Sequence, residues 1–454
     1  MFGKIGHLHF IGIGGIGMSG LATIMHNLKF RVTGSDIQRS DITKRLQTMG
    51  VKITYSHKKE NIRGADVVVY STAIRNDNPE LSEARRINIP VIHRGELLAE
   101  LTRMKIAVCI SGTHGKTTTT SIVGEVLQEG GFSPTTVIGG IVKGKSQARL
   151  GRGDYLVCEV DESDKSFLKL FPSYAVITNI EAEHLDHYKD VGEIKENFVY
   201  FATHVPFWGC VFLGIDAVDS LHIKEKIPKR VITYGLTGSA MLRAARIRRN
   251  NFGTSFRVWY GDKSIGQFHV PLPGKHNVSN ALSAIGIGLE LGISIKNIKR
   301  ALENFSGVRR RIEYIGEVRG AKIFDDYGHH PTELAVTLQT LREYFATQRI
   351  ISVFQPHRYT RTYHLFDSFA ISFLHADIVV VTEIYPAHES PIPGVDGETL
   401  AKRIGKEQES VHFVPHLNDI VRFLRKIVQP HDVIIVQGAG SIGQLAKRLL
   451  KELK

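Results

Sequence analysis

Gly112-Thr113-His114-Gly115-Lys116-Thr117 has the residue types of a phosphate-binding loop. It follows the apolar run Ile106–Ile110 and precedes TTTTSIVGEVLQEGG, whose helical periodicity stops at Gly130-Gly131. Strand, glycine-rich loop and helix in that order aim backbone N–H groups and the positive end of a helix dipole at phosphate oxygens. Lys116 then reaches the terminal phosphates, and the Thr117 hydroxyl ligates Mg²⁺. Position 110, where the common G-x-x-x-x-G-K-[ST] pattern has its first glycine, is Ile, so the loop is a shortened one.

A second glycine pattern, Gly12-x-Gly14-x-x-Gly17, lies directly after the strand-like His7–Ile13 and before Met18-Ser19-Gly20-Leu21-Ala22. Asp36 follows about 20 residues on, where a ribose-binding acid belongs in a dinucleotide fold. A nicotinamide-dependent oxidoreductase is therefore one reading. The phosphate loop at Gly112 leaves no room for a complete dinucleotide domain, however. Any diphosphate can rest on such a helix start. A UDP-sugar is preferred to NAD here.

Acids and a histidine cluster after the next strands. Glu159 closes YLVCEV, followed by Asp161-Glu162-Ser163-Asp164; Asn179 is followed by Glu181, Glu183, His184 and Asp186. Ligands gather at the carboxyl ends of parallel strands, so Glu159 and His184 are candidate Mg²⁺ ligands. The plainer alternative is a helix cap or a surface charge. Further on, Asn277 and Asn280 follow His276 and share one helical face. They suit an adenine edge, or else an N-cap and a packing contact. Arg309-Arg310-Arg311, then DDYGHHP (325–331) and QPHRYTR (355–361), put arginines and histidines at strand ends, which suits carboxylate or phosphate binding.

The elements that must position these groups alternate short β-rich runs with helical stretches, an α/β pattern with parallel sheets. One unit carries strands at His7–Ile13, Phe30–Thr33, Val67–Ser71 and Val91–His93. A second carries Ile106–Ile110, Tyr155–Val160, Ala175–Asn179, Gly209–Leu213 and Val231–Tyr234, with hairpins over 240–273. A third carries Ala321–Asp325, Ile350–Phe354, Ile378–Thr382, Val411–Val414 and Val433–Gln437. The 454 residues suit three domains, 1–104, 105–308 and 309–454. Lys and Arg number 58 against 45 Asp and Glu, a net charge of +13. The basic clusters (243–249, 309–311 and the C-terminus) are short and lack interleaved aromatics, which argues against nucleic acid. The excess instead suits polyanionic small molecules, and 243–249 reads as solvated surface. No apolar run is long enough to span a membrane. Three cysteines in separate apolar runs read as reduced core residues of a cytoplasmic protein.

Together GIGGIGMSGLA, GTHGKTTTT, EVDESDKSF, TNIEAEHLDHY, KHNVSNA, GVRRRIE, DDYGHHP, QPHRYTRT and YPAHESPIPGVDG resemble the Mur ligase family, ATP-dependent amide-forming enzymes of peptidoglycan assembly, from end to end. DESDKSF, DDYGHHP and QPHRYTRT resemble the member that adds L-alanine to UDP-N-acetylmuramate; the tripeptide-recycling ligase is the rival within the family. The resemblance implies a Rossmann-like N-terminal domain for the UDP-sugar, a central P-loop ATPase domain, and a Rossmann-like C-terminal domain closing on ATP and binding the amino acid. It implies ATP and Mg²⁺, with small-molecule partners only; no sequence feature sets an oligomeric state. Metal ligands would be Thr117, Glu159 and His184. ATP would meet Gly112, Thr113, His114, Gly115, Lys116, Thr117, Thr118, His276, Asn277, Asn280, Arg311 and Asp326. The substrates would meet Gly12, Gly14, Gly15, Gly17, Ser19, Asp36, Ser71, His93, Tyr327, His357, Arg358 and Arg361. Lys116, His184, Arg311 and His330 would be catalytic. The family usually has Asp at Glu183, Gly at His388, and Ser or Thr at Gly397.

Overall fold

The computed structural model describes residues 3–140, 142–143, 148–181, 188–387 and 389–453. Three sheets fall into two compact units: Met1–Ile247 with Ser255–Val270 and Asn277–Ser306, and Arg248–Thr254 with Pro271–His276 and Gly307–Lys454.

The first unit holds a five-stranded parallel sheet in the order Lys52–Thr54, Arg31–Ser35, His7–Ile11, Val67–Tyr70, Val91–His93. The order reverses at His7–Ile11, so the glycine loop after that strand sits at the switch point where such sheets bind ligands. Runs such as HLHFI and VVVY are largely apolar and largely buried, and His7 and His9 are buried with hydrogen-bond partners in Thr33 and Glu80. The ten-stranded sheet centres on Ile106–Ser111, flanked by Tyr155–Glu159 and Tyr174–Ile177, all parallel. Leu242–Asn250, Gly253–Tyr260 and Lys263–Val270 form its far edge, joined by two-residue connections, the hairpins expected there. One apolar core runs through both sheets, from Phe10 and Met25 through Val137 to Phe167 and Phe198. Cys109, Cys158 and Cys210 are free and buried, as core residues should be.

The second unit holds a six-stranded sheet in the order Glu313–Val318, Ala321–Asp326, Val433–Gln437, Ile350–Phe354, Ile378–Val381, Val411–Phe413. Only its first pair is antiparallel. Asp325-Asp326 and Phe354-Gln355 thus leave the same, carboxyl edge of one parallel sheet, with Val433–Gln437 between their strands. The 243–249 cluster is mostly exposed, as its composition suggests, although Arg249 bonds the Glu343 carbonyl. Four short strands escape the sequence pattern: Lys52–Thr54, Thr135–Val137, Ala148–Arg149 and Glu313–Val318.

Candidate active site

The phosphate loop is built by close approach. Gly112 has φ 126°, and a Cβ on it would lie 2.1 Å from Thr178 Oγ1. No larger residue fits. The Thr113 N–H donates to the Asn179 carbonyl (3.0 Å), the His114 N–H donates to Asn179 Oδ1 (2.8 Å), and the Thr178 hydroxyl donates to the His114 carbonyl (2.7 Å). Gly115, at φ 82°, turns the chain into the helix Lys116–Glu129, whose start no side chain caps. First-turn N–H groups are thereby left for an anion. Thr118 is buried one position further on.

Lys116 Nζ donates to the Gly112 carbonyl (2.6 Å), the Thr113 carbonyl (3.1 Å) and Glu162 Oε1 (2.6 Å). The ammonium is therefore held inside the loop. Burial pushes Glu162 up to about 8, although Lys116 pulls the other way. The ammonium at 2.6 Å favours the ionised carboxylate, but with the Glu162 side chain only 4% exposed burial outweighs it. Next to it, Asp161 falls to about 2: burial opposes ionisation, but Arg94 and Lys116 outweigh it. Thr117 Oγ1 donates to Glu159 Oε1 (3.0 Å), and Glu159 Oε2 accepts from the Gly139 N–H (2.7 Å). Two of the three expected metal ligands are therefore neighbours, and their oxygens suit a hard divalent cation. The third, His184, lies outside the described residues, as do Glu183 and His388.

Asn277 and Asn280 are adjacent, as their spacing requires. Asn280 Nδ2 donates to Asn277 Oδ1 (3.2 Å) and Asn280 Oδ1 accepts from the Thr119 hydroxyl (3.2 Å). A Cβ on Gly115 would come 2.5 Å from that Oδ1. Asn280 therefore ties its helix to the phosphate loop. Asn277 is not an N-cap, because the helix already begins at Lys275.

The N-terminal glycine loop closes on its own strand end. Gly12, at φ 73°, and Ile13 both donate N–H bonds to the Ser35 carbonyl. The Gly14 N–H donates to Asp36 Oδ2 (2.8 Å), and Asp36 Oδ1 accepts from the Gln38 N–H (2.9 Å). Both carboxylate oxygens are engaged by backbone N–H groups, one of them in the glycine loop, which weakens the ribose-acid role of the nicotinamide reading. Gly15 precedes the helix Ile16–Asn27 and is exposed, whereas Ser19 is buried and donates to the Ile16 carbonyl. Ser71 follows the strand Val67–Tyr70. His93 accepts from the Gly95 N–H (3.3 Å), and its Nε2 stands 3.7 Å from Asp164 Oδ2.

In the second unit, Arg310 lies along both Asp325 oxygens (3.2 Å) and bonds the Gly438 carbonyl. Asp326 accepts from the Ile312 and Gly328 N–H groups, each at 2.8 Å. Burial raises Asp326, with Arg311 opposing. Arg310 and Arg311 both sit over the Tyr327 ring. His330 caps the helix Pro331–Tyr344, with Glu333 completing a capping box. His276 is driven down to about 4 by burial and by Arg311. His357 stacks on Tyr385 at 5.5 Å, and its Nδ1 stands 3.2 Å from Arg361 Nη1. Because Arg only donates, Nδ1 accepts, and the neutral ring carries its proton on Nε2. Burial, then His329, Arg361 and Arg358, push His357 down to about 3, so it is neutral in use. Arg358, at φ 71°, donates its N–H to the Tyr385 carbonyl (2.9 Å) and lies 3.8 Å from Glu389.

Sequence reading did not single out Arg94, Asp161, Glu162, Glu333, Tyr385 or Glu389, which the structure places in contact with candidate residues or with each other. Glu333 had a signal, standing three residues after a cap position. Gly397 departs from the usual family residue, and a Cβ on it would lie 2.2 Å from the Thr382 carbonyl. This backbone has no room for Ser or Thr at that position.

Three family models match in chain order: "Mur ligase family, catalytic domain" over 7–106, "Mur ligase middle domain" over 110–288, and "Mur ligase, glutamate ligase domain" over 310–440. The chain is 49% identical to the UDP-N-acetylmuramate–L-alanine ligase of Desulfatibacillum aliphaticivorans, covering 99% of each chain. It is 47% identical to that of Geotalea uraniireducens, covering 100% of this chain and 99% of the relative. Among solved structures, the UDP-N-acetylmuramate–alanine ligase of Thermotoga maritima superposes with TM-score 0.83 at 30% identity, covering 98% of both chains. A murein peptide ligase from Psychrobacter arcticus shares the fold at TM-score 0.73 and 24% identity, again covering 98% of both. The chain belongs to the Mur ligase family.

Proposed function

We propose that the chain joins L-alanine to the lactyl carboxylate of UDP-N-acetylmuramate, using ATP and releasing ADP and phosphate. The observation that carries this reading is full-length identity of nearly one half to ligases of that name, combined with a built phosphate loop holding Lys116. The tripeptide-recycling and nicotinamide readings have no comparable support.

The carboxylate is a poor acyl donor because its leaving group would be oxide. Attack of its oxygen on the γ-phosphorus of ATP forms the acyl phosphate and expels ADP. The alanine amine then attacks the carbonyl carbon, and the tetrahedral intermediate expels phosphate and loses a proton as the amide forms. Lys116 leaves Glu162 for the transferring phosphoryl group and neutralises its charge. Thr117, Glu159 and His184 would hold Mg²⁺. When bound, the metal screens phosphate charge. The helix Lys116–Glu129 supplies N–H donors, with Asn280 bracing the loop and Asn277 and His276 on the nucleotide side. Arg311, Asp326 and His330 serve the ATP end of the C-terminal part. Tyr327, His357, Arg358 and Arg361 receive the amino acid: Arg358 and Arg361 supply cations for its carboxylate, and His357 stays neutral. Gly12, Gly14, Gly15, Gly17, Asp36, Ser71 and His93 shape the nucleotide-sugar site, with Ser19 acting from within the helix. Residues 1–104, 105–308 and 309–454 would divide these tasks, in the cytoplasm. Among the described residues no helix is long and apolar enough to cross a membrane.

Phosphate release measured with each amino acid and each sugar nucleotide tests the reading. Turnover should require both UDP-N-acetylmuramate and L-alanine. Turnover without the sugar nucleotide, or turnover with UDP-N-acetylmuramate that demands a tripeptide, refutes it.

A further inference from the structure

The glycine loop, as built, lacks a cation of its own. The charged residue beside it, Asp36, is an anion whose Oδ2 accepts the Gly14 N–H of the loop and whose Oδ1 accepts the Gln38 N–H of its own turn. A diphosphate arriving there would meet negative charge unless another element supplies the opposite sign. Arg94, the first residue of the helix Arg94–Met104, does so: a Cβ on Gly17 would lie 3.1 Å from Arg94 Nη1 and 3.7 Å from Cζ. The last glycine of the pattern is thus what admits the guanidinium to the loop. Arg94 keeps 23% of its side chain exposed, and among the described residues only Nη2 has a hydrogen-bond acceptor, Asp161 Oδ2 at 2.8 Å. Asp161 is itself fixed by the Ser163 N–H and hydroxyl (3.1 and 2.6 Å), so it holds Arg94 by one edge and leaves the other along the loop. The next residue, Glu162, grips Lys116 at 2.6 Å. Two consecutive acids therefore set the placement of two cations, one at each phosphate-binding loop.

We propose that Arg94 binds the diphosphate of the nucleotide-sugar on the glycine loop, and that Asp161 is the positioning residue that aims it. The inference rests on the proposed ligase reading and adds the residue that gives the first loop its charge. Arg can grip two phosphate oxygens with a rigid planar fork, a geometry that the Lys ammonium lacks.

Calorimetric titration of UDP-N-acetylmuramate, UDP alone and ATP into the full chain tests it, with thermal melts alongside. R94Q should weaken binding of both UDP ligands about tenfold or more, while ATP affinity moves less than about twofold. R94K, keeping charge without the fork, should fall between. D161N should weaken both UDP ligands by a smaller factor, about threefold, by releasing the guanidinium from its aim. R94Q with wild-type UDP affinity and a lowered melting temperature would reduce Arg94 to a tie between elements and overturn the proposal. So would a loss confined to UDP-N-acetylmuramate, which would move the contact from diphosphate to sugar acid. Should R94Q fail to fold, unchanged UDP affinity in both R94K and D161N overturns it equally. A wild type that binds ATP but neither UDP ligand would instead bring down the ligase reading itself.

Discussion

Replacing Lys116 by Met removes the cation that meets the transferring phosphoryl group while keeping the length of the side chain. Among the described residues its bonds to the Gly112 and Thr113 carbonyls and to Glu162 are lost. Loss of one preorganised charge at a phosphoryl-transfer site costs about 3–4 kcal/mol of barrier, a fall in kcat of about 10²–10³. Stability responds separately. Stripping one member from a buried ion pair usually costs about 3–5 kcal/mol. Glu162 can escape most of that by taking a proton, because burial already lifts it to about 8. The sign follows: its folded value lies above its ordinary 4.5, so its contribution to stability is full below 4.5 and is lost as pH rises through about 8. K116M, lacking the opposing ammonium, should raise that value further. It should therefore melt close to wild type at pH 6 and well below it at pH 9. Single-turnover phosphate release and paired melting curves measure both effects. A kcat within tenfold of wild type would refute the role given to Lys116, and an equal melting deficit at both pH values would refute the account of Glu162.

Other perturbations separate architecture from chemistry. G112A, with a Cβ 2.1 Å from Thr178 Oγ1 at φ 126°, should abolish ATP binding while far-ultraviolet circular dichroism keeps its helical signal. D326N keeps the shape of the residue but weakens its two N–H bonds, and should lower denaturant stability by about 1–3 kcal/mol. His357 lies below its ordinary 6.5, at about 3, so the stability it contributes is full above 6.5 and is lost as pH falls toward 3. H357Q should accordingly flatten the acid side of the stability profile between those values. In the wild type, the ring proton resonances of His357 should show no titration between pH 5 and 8.

Much of the fold was legible because buried parallel strands are near-continuous apolar runs: Ile350–Phe354 and Val433–Gln437, buried throughout, match their runs residue for residue. Lys52–Thr54 and Ala148–Arg149 escaped because strands of three and two residues carry no period to read. Glu313–Val318 escaped because it is an edge strand with few buried residues. At the site, the loops were legible from glycine spacing, since Gly112 and Gly115 answer to local backbone demands. Arg94, Asp161 and Glu162 were not. Their roles depend on pairings 67 and 46 residues apart, and no local pattern encodes those. The position of Asp36 beside the glycine loop was legible from its spacing, whereas its bond to the Gly14 N–H, 22 residues away, was not.

The central claim is that ATP activates a carboxylate, and oxygen transfer tests it most directly. UDP-N-acetylmuramate labelled with ¹⁸O in its lactyl carboxylate should, on reaction with ATP and L-alanine, deliver one labelled oxygen into the released phosphate for each amide formed. Unlabelled phosphate accompanying amide formation would contradict an acyl phosphate and with it the chemistry assigned to this site.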